Sequence, residues 1–223
     1  MQQQAPTRIL IADDHTLMRE TLSDRLGREA DLEVVGSVAS ADEAVTLAGE
    51  LSPDVVIMDV DMPGRLSFDA ACDIVAVSPE IRVVFLSAFF SDRYIRDALA
   101  AHAVSYLTKD ESPQVVVDAV RQAAEGLSYF SPSVRDRLVI GPDNKLRLED
   151  DGIPATKADM LTRRELEMLR YLARGLSKKE IAATIHRSYG TVDKHVEKLM
   201  NKLDIHDRVE LTRYAIREGL VEA

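Results

Sequence analysis

Val55-Val56-Ile57-Met58-Asp59-Val60-Asp61-Met62-Pro63-Gly64 is the stretch that decides the fold. Its first four residues form a continuous apolar run, without the alternation of a strand that keeps one face in water. Such a run suits a short parallel strand buried on both faces. It leads straight into a carboxylate, Asp59. Similar runs lie on either side, at Arg8–Ala12 and Leu32–Val38 before it and at Val83–Leu86 and Tyr106–Leu107 after it. Amphipathic helical patterns separate them. Ser40 with Glu43 reads as a capping box that opens one helix. Ser112-Pro113 reads as an N-cap with a first-turn proline, and Gly126 closes that helix. Strand-helix alternation five times over predicts a doubly wound α/β fold with a five-stranded parallel sheet.

In such sheets ligands bind beyond the carboxyl ends of the strands, and chemistry-bearing residues fall there. The first strand ends in Asp13-Asp14, the third in Asp59 and the fourth in Ser87; the fifth leads to Lys109. Converging carboxylates repel one another and call for a cation, and an all-oxygen site that keeps waters suits Mg²⁺. Asp59 could then act as a nucleophile toward a phosphoryl group. Ser87 could hydrogen-bond one phosphoryl oxygen and Lys109 could neutralise another. A single strand-end Asp is often only a helix cap, and a single Lys only a solvated side chain. The order of all five residues along four strands carries the reading.

Asp13-Asp14, Asp59-Val60-Asp61-Met62-Pro63-Gly64, Leu86-Ser87-Ala88 and Tyr106-Leu107-Thr108-Lys109-Asp110 together resemble the receiver-domain signature of response regulators. The resemblance covers residues 7–127 and implies a flavodoxin-like fold. It implies Asp59 as phosphoacceptor, served by a histidine kinase or a small phosphodonor. It places Mg²⁺ among Asp13, Asp14, Asp59 and the backbone carbonyl of Asp61. Ser87 and Lys109 would contact the phosphoryl group, and Tyr106 would turn inward when Ser87 moves; the alternative for Tyr106 is a ring that caps the sheet edge. Ser67, His102 and Ser105 stand where the family usually has glycine, which bears on the loops around the pocket. Asp61 adds a carboxylate where many relatives are neutral.

The 223 residues suit two domains better than one. The net charge of −10 divides unevenly: residues 1–154 hold 14 Lys/Arg against 27 Asp/Glu, and residues 155–223 hold 14 against 11. An acidic half suits a metal or regulation, and a basic half suits a polyanion. The single cysteine, Cys72, excludes an intramolecular disulfide, and no Cys/His cluster has zinc spacing. The first residues lack a secretory pattern, and no apolar run nears the roughly 20 residues of a membrane helix. These features predict a soluble, cytoplasmic protein without membrane partners. Residues 128–158 read as a linker, with a short helix around Val134–Ile140 and then a flexible tether through Gly141-Pro142-Asp143-Asn144 and Glu149-Asp150-Asp151-Gly152.

From residue 159 to 223 the caps predict four short helices. Thr162 with Glu165 and Ser177 with Glu180 are capping boxes, with Leu161/Leu166 and Leu176/Ile181 as hydrophobic staples. A third helix begins near Ser188 with Val192, Val196, Leu199 and Leu203 on one face, and Asp207 with Glu210 opens the last, which Gly219 ends. The second and third, joined by His186-Arg187, have helix-turn-helix proportions. Lys178, Lys179, Arg187, Ser188, Thr191, Lys194, His195, Lys198 and Lys202 are the candidate contacts to phosphates and base edges. The runs Leu161–Glu165, Leu172–Ala182 and Ser188–His195, followed by Lys202-Leu203 and Arg208, closely resemble the LuxR-type DNA-binding domain. With a receiver, the chain looks like a NarL/FixJ-type regulator. That resemblance puts the helix from Ser188 in the major groove and uses the last helix to pair two DNA-bound copies. Asp193 departs from the usual Lys or Arg. It could accept from a cytosine amino group, pair with Lys194 or Lys198, or simply favour the helix N-terminus, the reading ranked first.

The leading function is therefore a two-component response regulator, a homodimer on double-stranded DNA whose binding is controlled by phosphorylation at Asp59, and not an enzyme. The alternatives are a phosphorylation-independent DNA-binding regulator and a Mg²⁺-dependent aspartyl-phosphate phosphatase, suggested by Asp59-Val60-Asp61.

Overall fold

Every apolar run of the first half becomes a parallel strand. The computed structural model describes residues 5–62, 65–88, 92–141, 146–148, 157–185, 187–218 and 220–221, without the side chains of Asp159 and Arg163. Expectations placed on Pro63, Gly64, the 142–144 turn, the 149–152 tether, His186 and Gly219 lie outside the described residues. The chain divides into two compact units, Met1–Glu149 and Asp150–Ala223.

The first unit alternates β1 (Thr7–Ala12), α1 (Thr16–Leu26), β2 (Leu32–Val38), α2 (Ala41–Leu51), β3 (Val55–Asp59), α3 (Ser67–Val77), β4 (Arg82–Ser87), α4 (Asp92–Ala100), β5 (Ser105–Thr108) and α5 (Pro113–Ala124). The strands pair in parallel in the order β2-β1-β3-β4-β5-β6, where β6 is Tyr129–Phe130. The sheet therefore has six strands, not the five expected. Two residues are too short to show a period, so β6 left no pattern to read. Ser105 shapes this edge: its buried hydroxyl accepts from the Tyr129 N–H at 3.2 Å. A glycine there would have no such acceptor.

All five residues of β3 are buried, as are Ile9–Ala12 of β1 and Val83–Ser87 of β4. One core packs these strands against Leu22 and Leu26 of α1 and against Val116, Val117 and Val120 of α5. Removing apolar area from water at roughly 25 cal/mol per Å² makes this burial the main source of stability. The loop before β5 keeps its glycine-like shape without glycine, since His102 takes the left-handed conformation at φ 59°. Ser40 caps α2 by accepting from the Glu43 N–H, but Glu43 reaches back to the Ala39 N–H instead of completing the box on Ser40.

Past β6, α6 (Pro132–Arg135) is a single turn, and the helix expected over 134–140 does not continue. Val139 and Ile140 are β-branched and pair better across a ladder. β7 (Leu138–Ile140) and β8 (Leu146–Leu148) accordingly form an antiparallel pair.

The second unit opens on a 3₁₀ turn, Lys157–Met160, and continues as α7 (Arg163–Ala173), α8 (Lys178–Thr184), α9 (Tyr189–Leu203) and α10 (Arg208–Arg217). Both capping boxes are complete, at Thr162/Glu165 and Ser177/Glu180, and Asp207 accepts from the Glu210 N–H. Gly175 leaves α7 at φ 96°. The core holds Leu166, Leu169, Ile181, Val192, Val196, Leu199, Leu203 and Leu211. Among the described residues no helix is long and apolar enough to cross a membrane.

Candidate functional site: an acidic pocket and a basic helix face

β1 and β3 are neighbours, so their carboxyl ends bring Asp13, Asp14 and Asp59 to one edge. Asp13 and Asp59 are each 2% exposed, while Asp14 keeps contact with solvent. Lys109, on the loop after β5, reaches across with Nζ 2.8 Å from Asp13 Oδ2 and 3.0 Å from Asp59 Oδ2. Its placement follows from backbone pairing, because the Lys109 N–H donates to the Ser87 carbonyl at 2.7 Å. Ser87 is fully buried at the end of β4. The Asp61 N–H donates to Asp59 Oδ1 at 3.2 Å, which fixes the turn after the strand.

Burial pushes the Asp59 carboxyl up to about 6 and the Asp13 charge reinforces this, while Lys109 and the Asp61 N–H pull it back. For Lys109, burial works against the charge, but Asp59 and Asp13 outweigh it and hold the ammonium above its ordinary range.

His15 is the pocket residue that sequence reasoning missed. Its Nδ1 lies 2.9 Å from Asp14 Oδ1 and 3.2 Å from Asp13 Oδ1. Adjacency to Asp13-Asp14 was the available signal. Potential ligand atoms of Asp13, Asp14, His15 and Asp59 all lie within 4.8 Å of one another. Three carboxylates in one such cluster fit a hard cation that takes oxygen ligands, the chemistry of Mg²⁺.

Two sequence departures have local accounts, His102 by its left-handed backbone and Ser105 by its bond to β6. Ser67 is buried with its hydroxyl unbonded among the described residues, and nothing in the structure explains it. Tyr106 is fully buried in β5 between β4 and β6, so it occupies the inward position and is not on the sheet edge.

In the second unit the candidates separate. Lys179, Arg187, Ser188, Thr191, Lys194 and Lys198 are exposed, and His195 is half-buried. Ser188 caps α9, and its hydroxyl lies 2.9 Å from that of Thr191. Lys202 points inward, 2.6 Å from Glu165 Oε2, and also donates to the Met160 carbonyl. Lys178 lies 2.5 Å from Asp193 Oδ1, tying α8 to α9. This is none of the three arrangements foreseen for Asp193, because the partner sits on a different helix, out of reach of any helical spacing. Arg208 donates to the Leu172 and Leu176 carbonyls beyond the end of α7, and Lys157 to the Leu203 carbonyl ending α9. Several cations of the basic half thus serve the fold.

The response regulator receiver domain family matches residues 9–121, and the luxR family of bacterial regulatory proteins matches residues 159–215. The chain is 35% identical to the response regulator protein VraR of Staphylococcus epidermidis, over 96% of this chain and 99% of that one, and equally so to VraR of Staphylococcus aureus. Among solved structures, the receiver domain of the putative response regulator NarL from Mycobacterium tuberculosis is 29% identical, covering 55% of this chain and 99% of that chain with a TM-score of 0.54. RcsB from Salmonella enterica serovar Typhimurium, bound to a promoter in the presence of the phosphomimetic BeF3−, is 22% identical over 93% of this chain and 97% of that chain, with a TM-score of 0.66. The chain belongs to the two-component response regulators, joining a receiver domain to a LuxR-type DNA-binding domain.

Proposed function

We propose that Asp59 is the phosphoacceptor and that its phosphorylation by a histidine kinase controls DNA binding by the second domain. The observation that carries this is the meeting of Asp13, Asp14, Asp59 and Lys109 at one buried edge in a chain that also bears a helix-turn-helix. Mg²⁺ held by Asp13, Asp14, Asp59 and the Asp61 carbonyl would offset the carboxylate charge and polarise the phosphoryl oxygens. The Asp59 carboxylate attacks phosphorus, and the donor leaves with the bond to its own oxygen or nitrogen. Lys109 is already beside Asp59 and has only to shift onto a phosphoryl oxygen. Ser87 supplies a hydroxyl from the adjacent strand, and Tyr106 packs inward behind it. The added charge of about −1.5 to −2 reorganises these contacts. Asp61→Asn is expected to change the lifetime of the phosphoryl group, because its carboxylate stands beside the leaving position; an identical dephosphorylation rate would sink that role.

In the DNA-binding domain, Lys179, Arg187, Ser188, Thr191, Lys194, His195 and Lys198 are assigned to the DNA surface. Lys202 is reassigned to the fold, and Lys178 is held by Asp193. Freeing Lys178 with Asp193→Asn is expected to steepen the salt dependence of DNA binding by about one phosphate contact, read as a log–log slope change near 1. An unchanged slope would mean Lys178 stays off the DNA. The protein acts in the cytoplasm as a homodimer on duplex DNA, and as a regulator, not an enzyme.

The test is treatment with acetyl phosphate and Mg²⁺, followed by mass spectrometry and DNA binding. One phosphoryl group on Asp59 with tighter DNA binding supports the reading. Multiple turnover of a phosphate ester would favour the phosphatase alternative, and DNA affinity indifferent to phosphorylation would favour the phosphorylation-independent regulator.

A further inference from the structure

We propose that the β7–β8 hairpin is a releasable strap that keeps the tether to the DNA-binding domain short until Asp59 is phosphorylated. The trigger rests on the phosphorylation reading above; the strap itself rests on contacts within the first unit. β8 packs against α4, and its Leu148 is buried. Just ahead of β7, Arg137 forms an ion pair with Asp92, the first residue of α4. Arg93 and Asp97, on the next row of α4, are only 13% and 17% exposed. The other side of α4 is committed to the core through Tyr94, Ile95 and Ala98. One buried leucine and one half-exposed ion pair form a weak hold, which suits reversible docking.

α4 is joined to the site by sequence. Ser87 ends β4 and Asp92 begins α4, so a Ser87 drawn toward a phosphoryl group pulls on the first turn of α4, where Arg137 is anchored. β8 ends at Leu148, and the first unit ends one residue later at Glu149. Docked, the hairpin fixes where the tether starts. Released, residues 138–148 add up to about 36 Å of extended chain. The half-sites read by a helix-turn-helix dimer lie about 34–36 Å apart. Release therefore supplies a reach of the size that two DNA-binding domains need to engage DNA together.

The test compares the full-length chain with Arg137→Ala, with Leu148→Asp, and with the charge-exchanged pair Asp92→Arg/Arg137→Asp. The probe is a DNA duplex selected from a random pool by the wild-type chain. Without phosphodonor, Arg137→Ala is expected to raise affinity about threefold and Leu148→Asp about tenfold, while the exchanged pair returns the wild-type value. Amide exchange at 138–140 and 146–148 is expected to quicken in both single variants. In the wild type it is expected to quicken once acetyl phosphate and Mg²⁺ have loaded Asp59. Faster exchange with unchanged DNA affinity overturns the proposal, as does exchange in the wild type that ignores full phosphorylation. An exchanged pair that behaves like Arg137→Ala removes the ion pair from the strap and overturns it too. Should Leu148→Asp not fold, Arg137→Ala and the exchanged pair decide. Failure of Asp59 to accept a phosphoryl group sinks the phosphorylation reading instead, and the affinities of the unphosphorylated variants still decide whether the strap restrains binding.

Discussion

Asp59→Asn is expected to abolish phosphorylation by acetyl phosphate and, with it, the whole response of DNA affinity. The amide nearly matches the carboxylate in shape, so the fold should survive, but it offers no anionic oxygen to attack phosphorus. In the native pocket Asp59 sits against Asp13 and Lys109, so substitution also removes one negative charge from a crowded edge. Coupling between sites commonly amounts to 5–150-fold in affinity, about 1–3 kcal/mol. The wild type should gain DNA affinity within that range when phosphorylated, and the variant should gain none. Titrating a labelled duplex against both proteins, with and without the phosphodonor, measures the difference. A variant that still responds would place the phosphoacceptor elsewhere.

Glu165→Ala should be the most damaging single change in the DNA-binding domain. The Glu165 carboxylate accepts from the Thr162 N–H at 2.7 Å, its own N–H donates to the Thr162 hydroxyl, and Lys202 lies 2.6 Å away. Loss of a cap costs about 0.5–2 kcal/mol. Breaking a buried ion pair costs up to about 3–5 kcal/mol, and less here because Lys202 can return to water. A loss of about 2–4 kcal/mol follows. For a unit of this size each kcal/mol moves the melting temperature by about 4–8 °C, so calorimetry should show a drop well above 8 °C in the second transition. The receiver transition should stay in place.

The same residue sets a pH dependence. Burial opposes the Glu165 charge, but Lys202 and the Thr162 N–H outweigh it and hold the carboxyl below its ordinary value of 4.5. A carboxyl lowered on folding adds stability above its unfolded pKa and loses it as pH falls through the folded one. Stability of the DNA-binding domain should decline below about pH 4.5 in the wild type, and the Glu165→Ala variant should lack that part of the decline.

Much of the pocket was legible because its residues sit at strand ends, and strand ends are marked by where apolar runs stop. Asp13, Asp14, Asp59, Ser87 and Lys109 could each be placed on the sheet edge in that way. His15 was not, since a histidine that opens a helix has no fixed job until the carboxylates beside it are in place. The DNA face was less legible. Helical periodicity separates core from surface within one helix, so it found Val192, Val196, Leu199 and Leu203. It says nothing of a partner on another helix, and so Lys178, Lys202 and Arg208 looked alike until their carboxylate and carbonyl partners appeared.

The strand-helix alternation, the capping boxes, the order of the carboxylates and the division of charge are properties of the chain itself. They depend on residues a few positions apart, where covalent geometry and local burial act alone. Tertiary structure decided what depends on distant pairs. The sixth strand exists because Ser105 can hold Tyr129, and the predicted helix after α6 gave way because residues 138–140 found a partner strand at 146–148. Asp193 was committed to Lys178, fifteen residues away. Such choices are made by contacts whose two halves carry no mark of each other in the sequence, so only the folded chain could show them.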